Sequence, residues 1–187
     1  GPSFTFFITN DGALWAMGRN TFGQLGLGTT NTAVATPVKV ASGVTHVAAG
    51  ARHAAFIKAD GTMWAMGSNY YGQLGDGSME TRLSPVKVAD NVVALAAGDY
   101  YSTFLAGVAP RIEIQPVGRA AVAGESVSLS VAASGSPVLN YVWKKDGVVL
   151  TGATQAVLTL PNISNANVGL YEVQVSNDYG STASARV

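Results

Sequence analysis

Short apolar runs broken by turn residues fill the chain, and no long stretch keeps a helical period. Phe6-Phe7-Ile8 leads to Asn10-Asp11-Gly12 and then to Ala13-Leu14-Trp15-Ala16-Met17. An Asp-Gly between two such runs predicts a tight hairpin, because both residues tolerate the positive φ of the turn. A glycine-studded stretch, Gly23-Gln24-Leu25-Gly26-Leu27-Gly28, comes next, followed by a polar loop and two predicted strands over 37–40 and 45–49. The series is then written again. Leu14-Trp15-Ala16-Met17-Gly18 returns as Met63-Trp64-Ala65-Met66-Gly67, 49 residues on, and Asn20 with Gly23-Gln24-Leu25-Gly26 returns as Asn69 with Gly72-Gln73-Leu74-Gly75. Pro37-Val38-Lys39-Val40-Ala41 recurs at 85–89, and Ala48-Ala49-Gly50 recurs at 96–98, where the interval has fallen to 48. The lost residue therefore lies between Gly77 and Pro85, in a polar loop. Self-similarity at this period predicts repeat units that bury their faces only by stacking on one another.

About four strands in a unit of roughly 50 residues describes a β-propeller blade. The particular words narrow the family. Trp-x-x-Gly-x-Asn-x-x-Gly-Gln-Leu-Gly, followed by Pro-Val and later Ala-Ala-Gly, resembles the regulator-of-chromosome-condensation repeat, whose members form seven-bladed propellers. The Gly-Gly doublet of kelch blades is missing. In the resembled family the Ala-Ala-Gly strand is the innermost of a blade. Applied here, residues 44–89 make one whole blade, 4–40 a blade lacking its inner strand, and 92–106 the inner half of a third. The propeller repeats thus occupy 4–106, a little over two blades of an expected seven, and the chain is expected to self-associate through the incomplete propeller.

A different vocabulary begins after a short linker at 107–110. Ser126-Val127-Ser128-Leu129-Ser130-Val131 alternates polar and apolar positions, as do Leu139, Tyr141 and Trp143, then Leu158 and Leu160, then Tyr171, Val173 and Val175. Many short alternating strands over 111–187 predict a β-sandwich. Gly169-Leu170-Tyr171-Glu172-Val173, followed by Ser176-Asn177-Asp178-Tyr179-Gly180, resembles the end of an immunoglobulin domain. That resemblance puts Trp143 at the core tryptophan and Tyr171 at the tyrosine corner. The family's paired cysteines would fall at Val131 and Val173, and two facing valines are expected to fill that space by packing alone. The predicted fold class is all-β: a partial propeller joined to an immunoglobulin-like sandwich, with Trp15, Trp64, Val131, Trp143, Tyr171 and Val173 as structural core. Cysteine-free modules of this kind resemble those of bacterial extracellular proteins, which implies a secreted or cell-surface protein of a bacterium.

Composition removes several functions. Eleven basic and eleven acidic residues cancel, so no bulk charge favours nucleic acid or an anionic membrane. No apolar run approaches the roughly 18–20 residues of a membrane helix. With no cysteine, disulfides and thiolate metal sites are excluded. Gly1-Pro2-Ser3 reads as a protease-cleavage scar, with the natural chain extending upstream. His46 and His53, seven apart, read as strand-surface histidines rather than a metal or acid–base pair, since the second unit has Ala94 and Tyr101 in their places. Asp11, Asp60 and Asp146 are explained by turns. Gly23, Gly26 and Gly28 lack the Lys-Ser/Thr ending of a phosphate loop, and there is no nucleophile elbow or His-Glu-x-x-His. No catalytic, metal or cofactor residues are expected, and no enzyme. Phe22, Tyr70, Tyr71, Tyr100 and Tyr101 stand at loops and are the candidate exposed contacts. The expected function is a non-enzymatic interaction and spacer fragment with a protein or glycan ligand. A carbohydrate-binding or carbohydrate-processing module is the alternative, and the family's guanine-nucleotide exchange activity a more distant one.

Overall fold

The computed structural model describes residues 3–187; Gly1 and Pro2 of the expected scar lie outside the described residues. The chain divides into two units, one ending at Ala106 and the other beginning at Gly107.

The first unit is three antiparallel sheets in sequence order. Strands β1 (Phe4–Ile8), β2 (Leu14–Arg19) and β3 (Ala33–Ala41) form the first. The second has four strands: β4 (Val44–Ala49), β5 (His53–Lys58), β6 (Met63–Gly67) and β7 (Arg82–Ala89). The third is the pair β8 (Val92–Ala97) and β9 (Ser102–Ala106). Each sheet is a propeller blade or part of one, and the middle blade is apolar on both faces because each face meets a neighbour. Ala54, Phe56 and Met66 of the middle blade pack with Phe4, Leu14, Ala16 and Leu25 of the first. On the opposite face Ala55, Ile57, Met63 and Ala65 pack with Val92, and Leu95 closes over them. Alternation along β5 thus assigns successive residues to successive seams.

The Asp-Gly hairpins supply the backbone link at each seam. Gly12 and Gly61 hold φ of +76° and +78°, conformations that glycine adopts without a side-chain penalty. Asp11 accepts from the Ala13 amide at 3.2 Å, and Asp60 from the Thr62 amide at 2.9 Å. The turn carbonyls then accept from the next blade: Val44 N–H reaches Gly12 O at 2.9 Å, and Val92 N–H reaches Gly61 O at 2.9 Å.

The second unit is a sandwich. Strands β10 (Arg111–Ile114) and β12 (Ala132–Ser134) pair, as do β11 (Val127–Ser130) and β15 (Val157–Leu160). The larger sheet has the order β14–β13–β16–β17, built from β13 (Asn140–Lys145), β14 (Val148–Val149), β16 (Tyr171–Asn177) and β17 (Gly180–Ala183). Trp143, Val173 and Val175 are fully buried against Val127, Leu129, Val131 and Leu158. The indole Nε1 donates to Gln155 O at 2.9 Å, which satisfies the one polar atom of Trp143. Tyr171 donates its hydroxyl to Asn167 O at 2.7 Å, four residues upstream, as a tyrosine corner does. Val131 and Val173 both lie in this one core, so apolar contact occupies the inter-sheet space. Truncating a buried Trp typically costs about 3–5 kcal/mol. Trp143→Ala should therefore remove the cooperative unfolding of this unit, followed by tryptophan-independent amide signals; an unchanged melt would show that Trp143 is dispensable.

Candidate functional site

The loop after β2, and its copy after β6, is built by the repeated motif. Asn20 is buried; its Oδ1 accepts from Leu25 N–H at 3.0 Å and its Nδ2 donates to Thr29 O at 2.9 Å. Gln24 Oε1 accepts from Phe22 N–H at 2.8 Å. The second copy repeats this with Asn69 Oδ1 to Leu74 N–H at 3.0 Å and Gln73 Oε1 to Tyr71 N–H at 2.9 Å. Two side-chain amides thus replace the missing backbone ladder of a tight loop. Leu25 and Leu74 are driven into the seams, and the aromatic residue at 22 or 71 stands toward the outside. Gly67 has φ of +101°, and a Cβ there would strike the backbone at Arg52 and His53, which gives the glycine of Trp-x-x-Gly its reason.

The second loop carries an added pin. Arg82 Nε meets Asp76 Oδ2 at 2.7 Å, and Asp76 Oδ1 accepts from Asn69 Nδ2 at 3.0 Å and from Ser78 Oγ at 2.8 Å. Burial alone would raise the Asp76 pKa, but hydrogen bonds from Arg82 and Ser78 outweigh it and bring the carboxyl down to about 2.

These loops converge with the β4–β5 and β8–β9 turns. Arg52, from the middle blade's inner turn, lies 4.7 Å from the centroid of the Phe22 ring of the first blade, with Arg19 at 5.7 Å. One blade on, Tyr100 sits at the position corresponding to Arg52 and meets Tyr71 edge-to-face at 5.5 Å. The result is a row of π surfaces at successive seams. Tyr70, Tyr71, Tyr100 and Tyr101 expose 64, 72, 50 and 61% of their surface. Among the described residues no three potential ligands gather to hold a metal ion.

Comparison with known proteins agrees with this construction. Residues 11–57 and 60–105 match the regulator of chromosome condensation (RCC1) repeat, and residues 109–177 match an immunoglobulin domain. The first unit belongs to the RCC1 repeat family. Among solved structures, Prp20p of Saccharomyces cerevisiae is 19% identical with a TM-score of 0.51, covering 56% of this chain and 29% of that one. Yeast RCC1 (Prp20) bound to Kap60 is 24% identical with a TM-score of 0.50, covering 57% and 28%. The chain therefore spans less than a third of these propellers, and the likeness is one of fold. A chimeric titin Z1Z2 is 28% identical over 43% of this chain and 91% of that one, with a TM-score of 0.39. No curated protein matches.

Several expected roles change against the RCC1 blades. Phe22 is half-buried beneath Arg19 and Arg52 rather than exposed. Trp64 is half-buried and packs on the first seam, with its Nε1 donating to Thr62 Oγ1 at 2.9 Å. Trp15 occupies the same strand position but faces away from that seam; it stacks on Phe7 at 6.5 Å and is not core. His46 is exposed, whereas His53 is fully buried and not a surface residue. Its Nε2 meets Ser102 Oγ of the next blade at 3.0 Å. Arg19 and Arg52 were not among the expected contacts; aligning Arg52 with Tyr100 is the signal that finds them.

Burial lowers the His53 pKa from its ordinary 6.5, against a smaller opposing effect from the Tyr101 backbone. The native state then holds the ring neutral, so its contribution is complete above about 6.5 and is lost as the pH falls below it. Denaturation at pH 7 and pH 5 should show a loss of stability for the parent that is smaller in His53→Gln. Equal losses would remove the buried neutral histidine.

Proposed function

We propose that the RCC1 repeats form a non-enzymatic protein-interaction scaffold and that the immunoglobulin-like unit spaces it within a larger bacterial secreted or cell-surface protein. The observation that carries this reading is the edge-to-face pair Tyr71–Tyr100, which stays 72 and 50% exposed, with the exposed Tyr70 next to Tyr71 in the chain. Tyrosine combines large contact area with a polar tip and is a frequent anchor in protein interfaces. Polar side chains of the types used in catalysis are engaged in structure: Asn20 and Asn69 in loop cages, Asp11 and Asp60 in turns, His53 in a seam. The yeast relative Prp20p is described with Gsp1p and histones as binding partners, and a protein partner is the class we favour here.

A carbohydrate module is the second reading, favoured by the same tyrosines, since their faces suit sugar rings. A glycan array probed with the parent and with Tyr71→Ala/Tyr100→Ala separates the two. The interaction reading expects no tyrosine-dependent glycan signal; such a signal would move the function to carbohydrate recognition, and turnover of the bound glycan would end the non-enzymatic assignment.

Self-association belongs to the same proposal. The first blade leaves Phe7 and Trp15 on an uncovered face, and the third leaves Leu105 exposed. Apolar faces and open strand edges of this kind favour pairing. Light scattering after size exclusion should give a mass above that of one chain; a cooperatively melting monomer would contradict it.

A further inference from the structure

The interaction reading leaves open what chemistry the tyrosine row accepts, and the two seams differ in a way that answers it. At the first seam both arginines are exposed. Arg19 spends one donor on Thr21 Oγ1 at 2.9 Å. Neither Arg19 nor Arg52 forms an ion pair with a carboxylate among the described residues, whereas Arg82, Arg111, Arg119 and Arg186 all do. A guanidinium carries five donors in a fork that fits a carboxylate, so resting on the Phe22 ring leaves donors to spare. At the second seam the place of Arg52 is taken by Tyr100, and the exposed Asp99 stands beside it. A carboxylate is repelled there, and an apolar or aromatic group is not. Because positions 22 and 71, and 52 and 100, recur on successive blades, one ligand crossing both seams meets a cationic site and then an aromatic site, one blade apart.

We infer that this surface takes an extended protein segment carrying two or more carboxylates and, one blade's spacing away, an apolar or aromatic side chain. The carboxylates lie at Arg19 and Arg52, and the apolar group lies on Tyr71 and Tyr100. This rests on the interaction reading above and adds the partner's chemistry and the spacing of its two contact groups.

The probe is a random peptide-display library selected on the intact chain at low salt, with the best peptides synthesised and their affinities measured by fluorescence anisotropy. Selected peptides should pair an Asp or Glu cluster with Leu, Phe, Tyr or Trp at a constant spacing. Arg52→Gln should weaken binding about five-fold, as for an exposed ion pair, and flatten its salt dependence; Arg52→Lys should retain that dependence. Tyr100→Ala should weaken binding to a similar degree at low and high salt. Thermal melts of the variants should match the parent, since both side chains are exposed. Neutral or basic peptides that depend on Tyr100 and ignore Arg52→Gln would overturn this inference and leave the interaction reading standing. No peptide, or peptides indifferent to both substitutions, would overturn both.

Discussion

Everything in the first unit depends on one requirement: a blade has two apolar faces and must bury each against a neighbour. No single sheet of this size can do that, so stability resides in the seams. The middle blade shows the arrangement completed, with Phe56 and Met66 in one core and Ile57 and Met63 in the other. Each seam is further fastened by a turn carbonyl, Gly12 or Gly61, accepting an amide from the next inner strand. At the second seam His53 adds a side-chain bond to Ser102. Gly50 makes room for this, because a Cβ at that position would collide with the His53 ring and the Gly98 carbonyl.

The outer surface follows from the same geometry. Once Leu25 or Leu74 is committed to a seam, the Asn and Gln of the motif must hold the surrounding loop without a ladder, and the aromatic residue at 22 or 71 is left beside the neighbouring blade's inner turn. What that turn supplies, Arg52 in one case and Tyr100 in the other, sets the character of each seam. The fold thus fixes the row of positions and leaves its chemistry to a few exposed residues, which is how a repeat scaffold carries function apart from fold.

Much of this could be read from the residues because the word was written twice. Repetition revealed blades and their order, and strict alternation at Val127, Leu129, Trp143 and Val173 revealed the sandwich. What repetition hid was the difference between equivalent positions. Trp15 and Trp64 look alike in the chain, but only Trp64 has a blade on its face. His53 reads as a surface residue beside Tyr101 of the next repeat, yet it is sealed by a following blade that Tyr101 lacks. Phe22 reads as a loop-tip aromatic, and it is covered by an arginine thirty residues away in the chain. Each of these depends on the neighbouring blade, which no local pattern records.

The most direct test of seam-borne stability is hydrogen exchange on Gly50→Ala, a substitution confined to one turn whose new methyl would displace His53 from the second seam. The account predicts faster exchange across β5, β6, β8 and β9 together, since both sides of a seam must open when it is disturbed. Faster exchange limited to the turn at 50–52, with those strands as protected as in the parent, would contradict it.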